Sequence, residues 1–182
     1  ATDKHDLVLV ARRRDRLDQL AAELGKAHGV KTLVIAADLQ EAGAVKQIAD
    51  EVAKAGVEIE ILVNNAGFGT AGAFTGLPLD KELGQIAVNI SALVALTHAF
   101  LPGMVKRGHG RVLNLGSSAG FQAGPYMATY YATKAFVNSF SEALWQEVKG
   151  TGVTVTVSCP GATSTEFGAV AGKDKSALFT TS

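Results

Sequence analysis

The sequence has little of what would cross-link a small scaffold or attract a polyanion. Its only cysteine is Cys159, so an internal disulfide is excluded and the composition is compatible with a reducing cytoplasm. Basic and acidic residues number 17 each, so no electrostatic argument favours nucleic acid or an anionic membrane. We therefore expect a cytoplasmic protein that binds neither nucleic acid nor membrane.

Charge is also absent from one apolar stretch, Leu83 to Val105, which is long enough to span a bilayer. Polar side chains nevertheless recur through it, and Pro102-Gly103 interrupts its end. The recurring side chains are Gln85, Asn89, Ser91, Thr97 and His98. This pattern favours a helix buried between a sheet and a partner over a membrane span.

Internal repeats, low-complexity tracts and linkers are absent as well, and 182 residues suffice for one domain with its own core. Short apolar runs alternate with amphipathic helical patterns along the chain. The runs lie at residues 7–11, 32–37, 59–63, 112–115 and 153–157. This alternation predicts one α/β domain over residues 1–182, built on a doubly wound parallel sheet of the Rossmann type with ligands at the carboxyl ends of the strands.

The most informative segment runs from Arg111 to Lys149. A short buried strand leads into a Gly/Ser-rich corner that contains Ser117, and a helical pattern follows. Apolar residues four apart define the predicted apolar face of that helix, at Ala132, Phe136, Phe140, Leu144 and Val148. Tyr130 and Lys134 are also four apart, so they lie on one face of the helix, one turn from each other.

A hydroxyl, a phenol and an ammonium group at a strand end suggest proton transfer. The pKa of a free tyrosine is about 10, and lowering it to about 7 requires about 4 kcal/mol. One cation about 4 Å away supplies about 4 kcal/mol at an effective dielectric constant of about 20, so Lys134 would be sufficient. The hydroxyl of Ser117 would hold and polarise a substrate oxygen. The alternative is an ordinary amphipathic helix with an exposed lysine and a packed tyrosine, and Tyr131 is also within helical reach of the lysine.

The full pattern, G-S-S-A-G followed by a proline and Y-Y-A-T-K, resembles the signature of the short-chain dehydrogenase/reductase family. In that family the active-site serine precedes the tyrosine of Y-x-x-x-K by thirteen positions, which is the separation of Ser117 and Tyr130 here. The resemblance therefore selects Tyr130 over Tyr131. It implies that Tyr130 is the general acid or base, that Lys134 lowers its pKa and binds the nicotinamide ribose, and that Ser117 orients the substrate oxygen.

The turn after the first apolar run bears on the identity of the cofactor. In dinucleotide folds an acidic residue at this strand end hydrogen-bonds the adenosine ribose, whereas a nearby arginine receives a 2′-phosphate. The acidic residue of the family would fall at Ala11, which cannot accept a hydrogen bond, and Arg12 takes the adjoining place with Arg13 as a second donor. The resemblance therefore implies NADP as the cofactor, held by charge-assisted hydrogen bonds.

Further motifs of the resemblance follow the other strands. Asp38-Leu39 follow the second run, where the family places an aspartate on the adenine edge. Asn64-Asn65-Ala66-Gly67 matches the family's N-N-A-G, in which the amides tie strand ends together and the glycine allows close backbone approach. Asn89 is implied to distort its helix and to hold a water in a proton relay that ends at the lysine. The motif P-G-x-x-x-T, which contacts the nicotinamide carboxamide and the pyrophosphate, is matched by Pro160, Gly161, Thr163 and Thr165. No metal site is predicted.

The function that the resemblance implies is hydride transfer between NADP(H) and a small carbonyl or alcohol substrate. A 3-oxoacyl thioester reductase would share every motif, and a non-catalytic NADPH-binding regulator is the rival outside the enzymes. Candidates for the substrate pocket are Phe68, Phe121, Gln122, Tyr126, Met127 and Phe167. Apolar surface on the two long helices, including Trp145, predicts a homodimer or homotetramer.

A last absence concerns the Gly-rich turn T-G-x-x-x-G-x-G that follows the first strand of the family and holds the pyrophosphate. The motif does not occur in this sequence, which stops at Ser182, before the last strand of the family. The first strand of the family lies centrally, between those matched at residues 7–11 and 59–63, so its loss would leave buried backbone groups unsatisfied. We therefore expect that the functional polypeptide extends beyond this sequence at both ends.

Overall fold

The computed structural model describes residues 2–161, which form two compact units. The first unit ends at Glu58 and the second begins at Ile59. Each unit has a parallel sheet with helices packed on it, so the structure has the α/β architecture of a Rossmann-type fold with parallel strands, as predicted. The described strands form two sheets rather than the one sheet expected from the sequence.

The sheet of the first unit has two strands. Strand β1 (Leu7–Ala11) pairs in parallel with β2 (Thr32–Ala36), and Ala11 lies opposite Ala36 at their carboxyl ends. The turns that follow β1 and β2 therefore leave the sheet side by side.

Two helices complete the first unit. Helix α1 (Arg14–His28) packs on both strands and ends at Gly29, whose φ of 69° reverses the chain at the helix C-terminus. Helix α2 (Ala44–Lys54) buries Ala44, Ile48 and Val52, which lie four apart on one face. In α1 the buried residue is Leu17, whereas Leu20 is 41% exposed, so the amphipathic pattern is used more fully in α2 than in α1.

The sheet of the second unit has three parallel strands in the order β3-β4-β5. They are β3 (Ile61–Asn64), β4 (Gly110–Leu115) and β5 (Val153–Ser158). Asn64 lies opposite Asn114 in the register of β3 and β4. The last polar residue of β3 is therefore next to an amide of the neighbouring strand.

The helices of the second unit are one long interrupted helix and a second long one. The first consists of α3 (Leu79–Ile86), a π-helical turn (Ala87–Ala92) and α4 (Leu93–Arg107). The second is α5 (Ala128–Glu147), which packs on β5 and on the π-helical turn. A short 3-10 turn, Ser118–Phe121, connects β4 towards α5.

One face of the three-stranded sheet carries the hydrophobic core of this unit. The buried core residues are Leu62, Met104, Val112, Val148, Val153 and Val155. On the opposite face, the side chains of Ile61 and Val63 are 43% and 51% exposed. Within residues 2–161 the apolar run of β3 is therefore covered on one face, although a run of this kind is typical of a strand covered on both.

The helix from Leu79 to Arg107 is long and apolar enough to cross a membrane, judged by length and composition. The core helix of a soluble protein passes the same test, and 28% of its most apolar window is buried. Its buried residues include Gln85, Asn89 and Thr97, which all take part in hydrogen bonds. Three of the five polar side chains that interrupt the stretch thus lie on its inner side, whereas Ser91 and His98 are exposed.

Helix α5 differs from its predicted packing. The apolar face expected from the sequence is exposed in its first half, at Ala132 and Phe136, whereas Leu144 packs against the core and Val148 is buried. The buried residues within α5 are Thr133, Lys134, Val137, Asn138 and Ser141, four of which are polar. Hydrogen bonding therefore decides which side of this helix faces the sheet.

Candidate active site

The carboxyl ends of β3 and β4 are joined by a buried network of amides and hydroxyls. The side chain of Asn64 donates to Asn114 Oδ1 at 2.9 Å and to Thr97 Oγ1 at 3.1 Å. Asn114 in turn donates to Ser141 Oγ of α5 at 2.9 Å. The prediction that amides of N-N-A-G tie strand ends together is confirmed for Asn64, whereas Asn65 is exposed.

Ser117 lies directly after β4 and begins the 3-10 turn. Its side chain is buried, and its Oγ accepts a hydrogen bond from Ala119 N at 3.1 Å. The same side chain is hydrogen-bonded to Tyr130 of α5. The structure thus brings the predicted serine and tyrosine into direct contact.

The structure distinguishes the two adjacent tyrosines. The ammonium group of Lys134 lies over the ring of Tyr130, 5.9 Å from its centroid. The ring of Tyr131 is at an edge-to-face angle of 78° to that of Tyr130 and packs against Gly124, where a Cβ would overlap it. Only Tyr130 therefore combines contact with Ser117 and with Lys134, as the resemblance implied.

The net change in the pKa of the phenol is opposite to the lowering expected from the sequence. Burial raises the pKa of Tyr130 above its ordinary value; the hydrogen bond from Ser117 opposes this and the nearby Tyr131 adds to it. Burial also lowers the pKa of Lys134, with Cys159 acting in the opposite direction. The Lys134 Nζ donates to the carbonyl of Leu115 at 2.6 Å, so its charge is engaged by the backbone. Desolvation is therefore the largest cause of the change in pKa at both groups.

Asn89 lies in the π-helical turn, so the implied distortion of the helix at this residue is confirmed. Its amide accepts from Phe68 N at 3.1 Å and donates to Phe68 O at 2.9 Å, which holds the segment after β3 by both backbone groups. It also donates to Thr133 Oγ1 at 3.0 Å. A Cβ on Gly67 would lie 3.1 Å from Asn89 Oδ1 and 3.6 Å from Lys134 Nζ. Gly67 therefore permits the close approach of chain and side chains at this point.

Sequence reasoning missed a second buried cluster, formed by Thr70 after β3 and by Glu82 and Gln85 of α3. The hydroxyl of Thr70 donates to Glu82 Oε1, and Gln85 Nε2 lies 2.8 Å from Thr70 Oγ1 and 3.0 Å from Glu82 Oε1. All three residues are buried. The signal in the sequence was the spacing of Glu82, Gln85 and Asn89, which places three polar side chains on one side of a helix.

This cluster supports the loop that reaches the start of α5. Two residues after Thr70, Gly72 N donates to Tyr126 O at 2.8 Å. Tyr126 has a φ of 64°, a conformation that side chains with a Cβ rarely adopt. Tyr126 and Phe121, both predicted to line the substrate pocket, are 69% exposed. Apolar side chains are therefore displayed beside the Ser117–Tyr130 pair.

The first unit places Arg12 and Asp38 at the carboxyl ends of β1 and β2. Arg12 Nη1 lies 4.0 Å from Asp38 Oδ2, and its side chain is 70% exposed. Asp38 Oδ1 accepts a hydrogen bond from Gln40 N at 3.0 Å, which fixes the turn after β2 around Leu39. Arg13 is the residue that precedes α1. These side chains are thus presented at one sheet edge, as predicted.

The end of β5 is joined to the serine segment. Ser118 N donates to Pro160 O at 3.1 Å, and Cys159 lies directly before this proline. Gly161 is exposed. Thr163, Thr165 and Phe167 lie outside the described residues. Within residues 2–161, no group of three or more His, Cys, Asp or Glu side chains could hold a metal ion.

Comparison with known proteins gives a consistent picture. A family model described as "short chain dehydrogenase" matches residues 1–176. Sulfoacetaldehyde reductase 2 of Chromohalobacter salexigens is 40% identical over 163 residues, which are 88% of this chain and 64% of the relative. The very-long-chain 3-oxoacyl-CoA reductase of Anas platyrhynchos is 38% identical over 155 residues, 82% of this chain and 49% of the relative. The chain thus spans between half and two thirds of the length of these relatives.

Solved structures show the same likeness. A short-chain dehydrogenase from Sphingobium yanoikuyae in complex with NADPH has a TM-score of 0.88 and 37% identity, covering 95% of this chain and 68% of the other. The bulky-bulky ketone specific alcohol dehydrogenase of Comamonas testosteroni has a TM-score of 0.84 and 34% identity, covering 90% and 65%.

Proposed function

Since this chain belongs to the short-chain dehydrogenase/reductase family, an oxidoreductase family, we propose that it transfers a hydride between NADP(H) and a carbonyl or alcohol substrate. The observation that carries the proposal is the group formed by Ser117, Tyr130 and Lys134. The serine is hydrogen-bonded to the tyrosine, and the lysine ammonium lies over the same ring. This is the arrangement needed to hold a carbonyl oxygen and exchange a proton with it.

The chain's own residues would act on the substrate oxygen as follows. Ser117 holds and polarises the oxygen, and the phenol of Tyr130 donates a proton to it during reduction or removes one during oxidation. Because burial raises the pKa of Tyr130, the phenol is protonated at neutral pH and is suited to the reductive direction. Asn89 fixes the backbone of Phe68 beside the lysine and would support return of the proton.

Each unit offers exposed groups that would suit part of a phosphorylated dinucleotide. Arg12 offers an exposed guanidinium for a 2′-phosphate, and Asp38 a carboxylate for the adenine edge. The segment Asn65–Gly67 is exposed after β3 and has no side chain at its last position. NADPH would supply the hydride when bound, and Lys134 would bind its nicotinamide ribose. The NADPH complex of the Sphingobium relative supports this choice of cofactor.

Arg12→Ala tests the choice of cofactor. Loss of a bidentate phosphate contact should weaken NADPH binding by about tenfold or more and leave NADH binding within about twofold. The measurement is the Kd of both cofactors for the complete polypeptide, with exposed Arg14→Ala as the matched control, because Arg14 pairs with Asp18 on α1. An equal loss for both cofactors, or none for either, would contradict 2′-phosphate recognition.

A 3-oxoacyl thioester is the second candidate substrate class. It is supported by the relatives named very-long-chain 3-oxoacyl-CoA reductase and by the exposed apolar side chains of Phe121 and Tyr126 beside the site. Cofactor-monitored assays with aldehydes, ketones and 3-oxoacyl thioesters would separate the two classes. Cofactor binding without turnover on any of them would favour the non-catalytic regulator. We also propose a cytoplasmic location and a homodimeric or homotetrameric state.

A further inference from the structure

We infer that Asn138, one turn beyond Lys134 on α5, is a positioning residue for the proposed reaction and acts by fixing the backbone of Ser117. Asn138 is 4% exposed, and its Nδ2 donates to Ser117 O at 3.2 Å. Its Oδ1 accepts from Cys159 Sγ, 3.4 Å away. One side-chain amide thus contacts the segments that follow both β4 and β5; we term these contacts the Asn138 junction.

The surrounding chain is shaped to admit this amide. A Cβ at Gly116 would overlap Asn138 Oδ1, and a Cβ at Gly120 would overlap Nδ2. Glycines thus flank the Ser117–Ala119 segment on both sides, and the absence of a Cβ at each lets the Asn138 amide lie against the backbone. A buried amide in a close-fitting slot, with both ends hydrogen-bonded, has little freedom to move.

Asn138 continues a pattern that begins with the lysine. Lys134 Nζ donates to Leu115 O, and four residues later Asn138 donates to Ser117 O. Two successive turns of α5 therefore bind alternate carbonyls of the chain leaving β4. Tyr130 precedes Lys134 by one turn of the same helix. The helix that carries the phenol therefore also fixes the position of the backbone at Ser117, whose side chain contacts that phenol.

Loss of the Asn138 bond should misplace Ser117 with respect to Tyr130 without removing any group that reacts. A small misplacement of a reacting group can reduce turnover by about 10²-fold. The variants are Asn138→Asp, which keeps the shape and removes the donor, and Asn138→Ala, which introduces no charge. The matched control is Asn114→Ala, because Asn114 is equally buried and also joins β4 to α5, but through Ser141.

In the complete polypeptide, both Asn138 variants should lower kcat for carbonyl reduction by about tenfold or more, with the KM for NADPH within about twofold of wild type. Asn114→Ala should lower the Tm by a similar amount and leave kcat within about twofold. In a Ser117→Ala background, Asn138→Ala should cause little further loss of kcat, because it acts through the serine. The inference would be overturned if Asn138→Ala lowered kcat by the same factor in the Ser117→Ala background as in wild type. It would also be overturned if kcat fell in proportion to the Tm in all variants, Asn114→Ala included.

A second readout does not depend on turnover. Asn138→Ala removes the acceptor of the Cys159 thiol and opens space beside it, so alkylation of Cys159 by iodoacetamide should be faster than in wild type and in Asn114→Ala. Equal rates would show that the Asn138 junction does not exist in solution. The inference rests on the proposed function: an inactive wild type would overturn both, whereas an active wild type with unimpaired Asn138 variants would overturn this inference alone.

Discussion

The two faces of α5 show opposite relations between polarity and burial. The face towards the sheet carries Lys134 and Asn138, both buried. The outer face carries Phe136, which is 38% exposed and stacks on Phe140 at a centroid distance of 5.6 Å. In an ordinary surface helix the apolar residues would be inside.

The difference follows from hydrogen bonding. Each of the four buried polar side chains of α5 has a partner. Lys134 and Asn138 donate to the carbonyls of Leu115 and Ser117, Thr133 donates to Tyr130 O, and Ser141 donates to Val137 O and accepts from Asn114. A satisfied polar group can be buried without the cost of a lost hydrogen bond. The inner face therefore serves the site, and the outer face presents an apolar surface of the kind that subunit interfaces use.

The largest expected effect is on the inner face. Tyr130→Phe removes only the phenol oxygen and should lower kcat by about 10²- to 10⁴-fold, the usual contribution of general acid–base catalysis. NADPH binding, measured by fluorescence titration, should be nearly unchanged. Tyr131→Phe is the matched control and should stay within about threefold of wild type. The reverse result would assign the reaction to the wrong phenol.

The close packing around Asn138 on the inner face can also be disrupted by a substitution in the chain that faces it. Gly116→Ala places a Cβ against Asn138 Oδ1 and within 3.1 Å of Cys159 Sγ, so the free energy of unfolding should fall by about 1–3 kcal/mol. Gly76→Ala is the control, because a Cβ there would meet nothing within 4 Å. Urea unfolding of both variants measures the difference. Equal stability of the two would mean that Asn138 can move away at little cost.

The pH dependence of activity tests whether burial or the charge of Lys134 decides the direction of the pKa change at Tyr130. Because burial raises the pKa of Tyr130 above its ordinary value, the phenol keeps its proton until the pH exceeds about 10. The kcat/KM for reduction should therefore show no loss from this group between about pH 7 and 9, and that for oxidation should rise with pH. A reductive profile that falls with a midpoint near 7 and disappears in Tyr130→Phe would indicate a lowered pKa instead.

The smallest effect on turnover is expected on the outer face. Replacing the stacked pair Phe136 and Phe140 together by serine should leave kcat within about twofold, since neither takes part in the site. If the outer face is a subunit interface, light scattering should show a smaller mass than for wild type. An unchanged mass would assign the interface to another surface, and a monomeric wild type would contradict the predicted homo-oligomer.

Local sequence patterns predicted much of the second unit, which begins at Ile59. The strands β3 to β5 begin and end within about two residues of the predicted apolar runs. The residues Ser117, Tyr130, Lys134 and Asn89 were selected by spacing and resemblance, and the structure brings them together. These features depend on neighbours in the sequence or on fixed separations along it.

Other features depend on burial and could not be predicted in this way. The sign of the pKa change at Tyr130 is set by desolvation, which the Tyr–Lys spacing does not contain. The four-residue spacing of apolar side chains in α5 indicated an apolar face. It could not show that the polar side chains of the opposite face find hydrogen-bond partners when they are buried. Asn138 and Glu82 belong to no motif in the sequence, and they become significant only through residues 21 and 12 positions away.

The π-helical turn at Ala87–Ala92 has a consequence for how this helix can change during evolution. A π turn holds more residues than an α turn, so the helix carries a local surplus of chain at Asn89. Deleting one residue there would let the helix continue as regular α while α3 and α4 keep their angular relation, because the surplus residue is absorbed within the turn. Glu82, Gln85 and Thr97 would keep their positions, and only the residues of the turn, Asn89 among them, would change direction. Elsewhere in this helix the same deletion would rotate the whole preceding segment by about 100°. The π turn is therefore the place where the length of this helix can change at the expense of the Asn89 contacts alone.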